Sequence, residues 1–213
     1  MNDNYYFNVK RKRPEEIYNN VSDYFKGEIL NHYARSKNIM RIQEKITIRA
    51  LELLNLKKKN GLILDAGSGP GFAAMYLNEI GYKTVALDII LEFLNYYDIK
   101  NLNPIVADMC FPPFKANTFN AIISISALQW IYKDINNQST QFLLEQLSKS
   151  FFKILKPSSK AIIQFYPKND DIMDKIGKIF TEHTDFSGKF IIDNPNNPKK
   201  RRIFLLLKKK IHF

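Results

Sequence analysis

The sequence predicts one α/β domain: a mostly parallel seven-stranded sheet with helices on both faces and a helical arm at its N-terminus. Three observations lead there. Leu62, Ile63 and Leu64 run into Asp65 and then into glycines at alternate positions, Gly67, Gly69 and Gly71, ahead of a helical stretch from Phe72 to Ile80. A second strand, Lys83 to Leu87, closes on Asp88, about 20 residues past the first of those glycines, where doubly wound sheets place a carboxylate for ribose hydroxyls. Beyond it, short apolar runs alternate with helical periodicity as far as Phe165, the pattern of parallel strands joined by crossover helices.

Taken in order, residues 1–35 are rich in Tyr, Asn and charge and read as a loosely structured arm with short helices. Pro14 ahead of Glu15 and Glu16 marks one helix start, and Tyr24 with Phe25 offers an aromatic anchor. Ile39, Ile42, Ile46, Ala50, Leu53 and Leu54 recur at helical spacing, so one amphipathic helix packs on the sheet. Lys57 to Lys59 complement its C-terminus and Gly61 closes it. Residues 1–60 thus form an arm and helix that belong to the same domain as the core, residues 61–213.

Pro70 is expected in the first turn of the helix that follows the glycine loop. Ile90 to Tyr97 reads as a short helix, and Asn103 to Asp108 as a third strand lying at the sheet edge, closed by Asp108. Ile105, Val106, Met109 and Phe111 would leave that edge apolar and in need of cover, which a partner adding a strand could supply. Phe119 to Ser126, nearly continuous in apolar and small residues, is a central parallel strand. A helix over 138–155, a strand from Lys160 to Phe165 and a helix from Asp170 to His183 follow. Lys189 to Ile192 and Ile203 to Leu207 form a terminal strand pair, and Lys199, Lys200, Arg201 and Arg202 form the basic tip of the loop between them.

Alternate glycines let backbone approach a ligand closely, because no Cβ intervenes and positive φ is free. The loop lacks the Gly-Lys-Ser/Thr ending of a phosphate-cradling loop, and its Gly-x-Gly-x-Gly spacing differs from that of dinucleotide sites. With Asp65 at the strand end, it resembles the first motif of S-adenosylmethionine-dependent methyltransferases. A generic strand-to-helix turn is the bland alternative.

Charge is unevenly placed. The net charge is +11, yet residues 1–60 hold 13 Lys and Arg against 7 Asp and Glu, residues 61–195 hold 12 against 14, and residues 196–213 hold 7 against none. Basic ends around a slightly acidic core suit a polyanionic partner; lysine-rich surface usage would give the same counts. Cys110 is alone, which excludes an internal disulfide and fits a reducing compartment. His32, His183 and His212 lie too far apart in sequence to suggest a metal cluster. Met1 to Val9 has no apolar run, so no signal peptide is expected, and the apolar runs are too short for a membrane span. The expected placement is intracellular: cytoplasmic, or nuclear in a eukaryote.

Two loops converge on the carboxyl edge of the sheet, Gln129-Trp130 after the fourth strand and Phe165-Tyr166-Pro167 after the fifth. Methyl transfer from a sulfonium chiefly requires alignment and exclusion of competitors, and aromatic faces stack on unpaired bases. Trp130 and Tyr166 would equally serve as a rim aromatic and a strand-end anchor.

The segments Ile46-Thr-Ile-Arg-Ala-Leu-Glu-Leu-Leu-Asn-Leu, Ile123-Ser-Ile-Ser-Ala-Leu-Gln-Trp-Ile and Gln164-Phe-Tyr-Pro-Lys-Asn-Asp-Asp together resemble the small-subunit ribosomal RNA guanine-N7 methyltransferase family, from about Arg13 to the terminal strand pair. The resemblance implies a Rossmann-like class I methyltransferase that acts on one guanine during small-subunit maturation. It also implies a small zinc-binding activator protein paired to the edge strand near Ile105 and Val106. For S-adenosylmethionine it implies Asp65, Gly67, Gly69, Asp88, Ile89, Asp108, Met109 and Ser124; for the acceptor, Gln129, Trp130 and Tyr166. Ser68 stands where the family often has cysteine, and without the long basic tail of eukaryotic members after the terminal strands the sequence is expected to resemble archaeal relatives or a reduced eukaryotic form. Ala-Leu-Gln-Trp also resembles malonyl-carrier methyltransferases, which leaves a small-molecule or carrier-bound carboxyl methyltransferase as the rival enzyme. The rival from another class is a donor-binding ribosome assembly factor whose catalysis is dispensable.

Overall fold

The computed structural model describes residues 12–56, 61–97, 102–197 and 200–210. Within them seven strands form one sheet: β1 (Leu62–Ala66), β2 (Lys83–Asp88), β3 (Asn103–Val106), β4 (Phe119–Ile125), β5 (Leu155–Phe165), β6 (Phe186–Asp193) and β7 (Arg202–Lys209). Their order is β3-β2-β1-β4-β5-β7-β6. The first five run parallel, and β7 lies antiparallel between β5 and β6.

The two faces of the sheet are covered by different helices, and β4 shows how its sequence divides between them. Side chains alternate along a strand. Ile122 accordingly packs with Leu144, Leu147 and Phe151 of α6 (Gln138–Ile154) and Ile176 and Phe180 of α7 (Asp170–Glu182). Ala121, Ile123 and Ile125 pack instead with Ile46, Ala50 and Leu54 of α4 (Lys37–Leu54) and Ala73 and Leu77 of α5 (Phe72–Glu79). Both layers being apolar, the central strands have no polar face to show.

Helix ends follow from local chemistry. Ser36 caps α4 by accepting from the Ile39 N–H at 3.3 Å, and Asn169 caps α7 by accepting from Ile172 at 2.9 Å with Asp170 and Asp171 in the first turn. Lysines from the sheet close two C-termini: Lys160 Nζ donates to the Leu54 carbonyl at 2.8 Å, and Lys209 Nζ donates to those of Phe152 and Leu155 at 2.7 and 2.8 Å. No described helix is long and apolar enough to cross a membrane.

Several local expectations shift. Ile42 is 42% exposed, a rim position on α4 rather than part of its buried stripe. Residues Ile90 to Tyr97 hold a 3-10 segment, Leu91–Tyr96. β3 stops at Val106, so Asp108 stands two residues beyond the strand, and Pro70 precedes α5, whose N-cap is Gly71. The arm is more organised than expected: α1 (Pro14–Ile17), α2 (Val21–Tyr24) and α3 (Gly27–Arg35) lead into α4. The expected helix end at Lys57 to Asn60, and Lys199 of the basic tip, lie outside the described residues, while Arg201 donates from Nε to the Pro195 carbonyl at 3.0 Å.

Candidate active site

The strand order reverses direction between β1 and β4, and at such a switch point loops part to leave a crevice at the carboxyl edge. A cavity of about 540 Å³ lies there, lined by the glycine loop, Asp88, Met109, Ser126, Trp130 and Lys133. That volume is within the range of small-molecule sites.

The loop after β1 is shaped by its glycines and held from two sides. Gly67 has φ +73°, and a Cβ there would stand 2.4 Å from that of Ala127. At Gly71, φ +85°, a Cβ would meet the Tyr97 ring at 2.6 Å. From one side the Gly69 N–H donates to Asp88 Oδ2 at 2.7 Å, while Ile90 N–H donates to Oδ1 at 2.9 Å. From the other, the Tyr97 hydroxyl donates to the Gly69 carbonyl at 2.6 Å and lies 2.6 Å from the Ser68 hydroxyl, which is left to donate to it. Burial pushes the Tyr97 hydroxyl pKa up, so it stays a proton donor.

Two carboxylates meet in this loop. Asp65 is fully buried, and burial raises its pKa to about 7 against the Ala74 N–H that lowers it; the charge of Asp88 adds to the rise. Its Oδ2 has no partner. Burial also raises Asp88, opposed by the N–H groups of Ile90, Gly69 and Ile89. Asp108 Oδ1 accepts from the Cys110 N–H at 2.8 Å.

The arm forms the other wall. Asn19, Asn20, Val21, Ser22 and Phe25 line the cavity, and the Lys133 ammonium donates to the carbonyls of Tyr18 and Asn19. Burial lowers the Lys133 pKa. Trp130 sits beneath this wall, its ring centroid 5.6 Å from that of Tyr24 and 5.8 Å from that of Phe25. Tyr33, also in the lining, has its hydroxyl pKa raised to about 12, first by burial and then by the neighbouring charge of Asp88.

Of the residues singled out from the sequence, Asp65, Gly67, Gly69, Asp88, Ile89, Asp108, Met109 and Trp130 all line this cavity. Met109 is buried there, and so is not part of the exposed apolar edge. Three residues fall outside the lining. Ser124 lies inside β4, buried on the α6 side with Ile122, and the cavity opens past the strand end, where Ser126 lines it. Gln129 folds back, its Nε2 donating to the Ser126 carbonyl at 2.7 Å. Tyr166 accepts at its carbonyl from Arg13 Nη1 at 2.6 Å and from the Tyr132 hydroxyl at 2.5 Å, which makes it an anchor for the arm. Lys133, Tyr33 and Tyr97 were not legible in the sequence, and Phe25 was legible only as an aromatic anchor. Each reaches the site through tertiary packing.

A model described as a methyltransferase domain matches residues 64–163. The chain is 35% identical over 86% of its length to the 18S rRNA (guanine(1575)-N(7))-methyltransferase of Saccharomyces cerevisiae, covering 66% of that protein. To the 18S rRNA (guanine-N(7))-methyltransferase of Bos taurus it is 32% identical over 91% of its length, covering 68% of that protein. It thus spans about two thirds of the length of these curated relatives. Among solved structures, magnesium protoporphyrin IX methyltransferase from Synechocystis, with bound S-adenosylmethionine, superposes with a TM-score of 0.68 at 15% identity, over 95% of this chain and all of that one; at that identity the likeness concerns the fold, a Rossmann-like class I methyltransferase. Sheet order, glycine loop and relatives agree, and the chain belongs to the 18S rRNA (guanine-N7)-methyltransferase family.

Proposed function

We propose that this chain transfers the methyl group of S-adenosylmethionine to N7 of a guanine in small-subunit rRNA during ribosome biogenesis. The observation that carries this is one cavity in which a glycine loop tied to Asp88 faces Trp130, in a chain whose relatives bear that activity in their names. The residues fit the donor. Asp65 keeps a buried, unpartnered carboxylate oxygen, which a cationic ligand would satisfy. Asp88, fixed by two N–H groups, has lone pairs left for ribose hydroxyls, and Ile89, Asp108 and Met109 would flank the adenine.

When bound, S-adenosylmethionine supplies a methyl group on a positively charged sulfur, open to in-line displacement. Guanine N7 attacks through a free lone pair, so no general base is needed, and the site has to align the base and exclude water. The methylated ring is cationic, and the face of Trp130 would favour it. Gln129 acts one step back, by holding the Ser126 carbonyl at the cavity wall. The small zinc-binding activator would add along β3, the end strand of the sheet. Ile89, Leu91, Val106 and Phe111 leave large apolar side chains exposed around that edge, Val106 at 42% and Phe111 at 54%. Such a substrate places the protein inside the cell, with assembling ribosomes.

The test is transfer of radiolabelled methyl into small-subunit rRNA, with and without a zinc-binding partner, followed by nucleoside analysis. Label in 7-methylguanosine is expected. Label in a small acid or carrier, with none in RNA, would overturn the RNA reading in favour of a carboxyl methyltransferase. Should Asp88→Ala abolish transfer while ribosome assembly persists, and deletion stop assembly, the protein's presence outweighs its chemistry.

A further inference from the structure

The net charge of +11 does not come from the cavity itself. Asp65, Asp88, Asp108, Asp134, Asp170 and Asp171 all fall at the carboxyl end of the parallel strands. Lys133 is the lone lysine of the cavity lining among the described residues, and its ammonium is engaged by two arm carbonyls. An RNA entering the cavity meets more carboxylates than free cations, and the exposed Lys26, Arg35, Lys37 and Arg41 stand outside it on the arm and α4.

The opposite end, where the parallel strands begin, is different. There the loop before β4, the end of α6 and the end of β7 are tied together. Thr118 N–H donates to the Ile154 carbonyl at 2.8 Å, Asn117 N–H to that of Lys153 at 3.0 Å, and Lys209 Nζ to Asn117 Oδ1 at 3.0 Å. Lys115, Lys153, Lys208 and Lys210 lie in the segments that this knot ties together, and all four are exposed. None of the four has a carboxylate within ion-pair distance among the described residues, whereas Lys149, one turn earlier on α6, pairs with Glu145 at 3.3 Å. Like charges gathered without counter-ions repel one another and add nothing to folding. Lys209 itself has a structural task at the C-terminus of α6.

We propose that this lysine surface grips the phosphate backbone of the substrate RNA, so that part of the affinity resides at the end of the sheet opposite the chemistry; the proposal rests on the rRNA reading. Unpaired exposed lysines are the groups that release counterions when they neutralise phosphates. A strand of about seven residues spans roughly 20–25 Å, so an RNA that touches both ends must be folded and long. A short oligonucleotide carrying the target guanine would reach only the catalytic edge.

The test uses the full chain with Lys115, Lys153, Lys208 and Lys210 all changed to Gln, and Lys156, Lys160 and Lys209 kept. Binding to a structured small-subunit rRNA fragment is followed against salt. The log–log slope should become shallower by about 3, and affinity near physiological salt should fall on the order of 10- to 100-fold, at 0.7–0.9 in slope per lost phosphate contact. Affinity for S-adenosylmethionine and for a short target oligonucleotide should stay unchanged. A Lys115→Gln, Lys210→Gln pair, expected to lose about half as much slope, serves if the fourfold variant folds poorly. Unaltered slope and affinity in a variant with an intact melting curve would overturn the proposal. Should the wild type bind long RNA in this way and methylate none of it, the surface stands and the guanine-N7 reading falls.

Discussion

Replacing Asp65 with Asn isolates the energetics of the donor pocket. Burial raises the Asp65 pKa from 3.8 to about 7, so between those values the folded chain holds a proton that the unfolded chain has released. Below about pH 4 both states are protonated and the carboxyl costs nothing extra. As pH rises the wild type loses about 1.4 kcal/mol per unit, reaching about 4 kcal/mol above pH 7. That figure is a ceiling, because water entering the cavity would stabilise the carboxylate. The amide of Asp65→Asn cannot ionise, yet it can still accept from the Ala74 N–H. Thermal unfolding of both ligand-free proteins from pH 4 to 8.5, taken as a difference, cancels the titrations that are not coupled to Asp65, leaving its neighbour Asp88 as the second contributor. The variant should become the more stable with rising pH, the gap in Tm widening by up to roughly 8–16 °C for a chain of this size. Adding S-adenosylmethionine at pH 8 should narrow the gap by stabilising only the wild type. A gap that stays constant with pH, or widens towards acid, would refute the assignment of Asp65 as a buried carboxylate awaiting a cation.

Gly67→Ala puts a methyl group 2.4 Å from Ala127 Cβ at a φ of +73°, so calorimetry should show donor binding lost; normal affinity would clear this glycine of its role. Tyr97→Phe leaves the Gly69 carbonyl and the Ser68 hydroxyl without their shared partner. It should weaken donor binding on the order of tenfold, at 1–3 kcal/mol for a buried unsatisfied group, and equal affinity in the two proteins would show the loop to be self-supporting. Trp130→Ala should lower kcat/KM for RNA on the order of 10- to 100-fold, from stacking worth about 1–3 kcal/mol, with donor affinity intact. Loss of donor affinity instead would make Trp130 part of the donor wall.

The sheet was largely legible because each strand carries its own signal. Leu62 to Leu64 before Asp65, and Phe119 to Ile125, are apolar runs that local pattern identifies, and the spacing from Gly67 to Asp88 gives their relation. Strand ends were less so: nothing in Ala107-Asp108 says that pairing with β2 stops at Val106. Apart from Ser124, the residues expected on the donor side line one cavity, since they sit at strand ends with fixed spacing; of those expected on the acceptor side, Trp130 alone does. Whether Gln129 points to a ligand or back to the Ser126 carbonyl depends on a side-chain rotation that spacing does not encode, and Ser124 stands two residues short of Ser126 because the sequence does not mark where β4 ends. Beyond the Tyr24-Phe25 anchor, the wall formed by Asn19 to Phe25 was invisible, because the arm has no motif and its place depends on Lys133 and Tyr166, more than a hundred residues away.

The packing of Tyr24 and Phe25 against Trp130 makes the protein its own optical probe. The sequence contains a single tryptophan, so intrinsic emission reports from one place, the seam between arm and cavity. A shift to longer wavelength would record the arm lifting and water reaching the indole, and quenching without a shift would record a base stacking beside it. Arm movement and base stacking can therefore be timed separately in a stopped-flow instrument, with no label added.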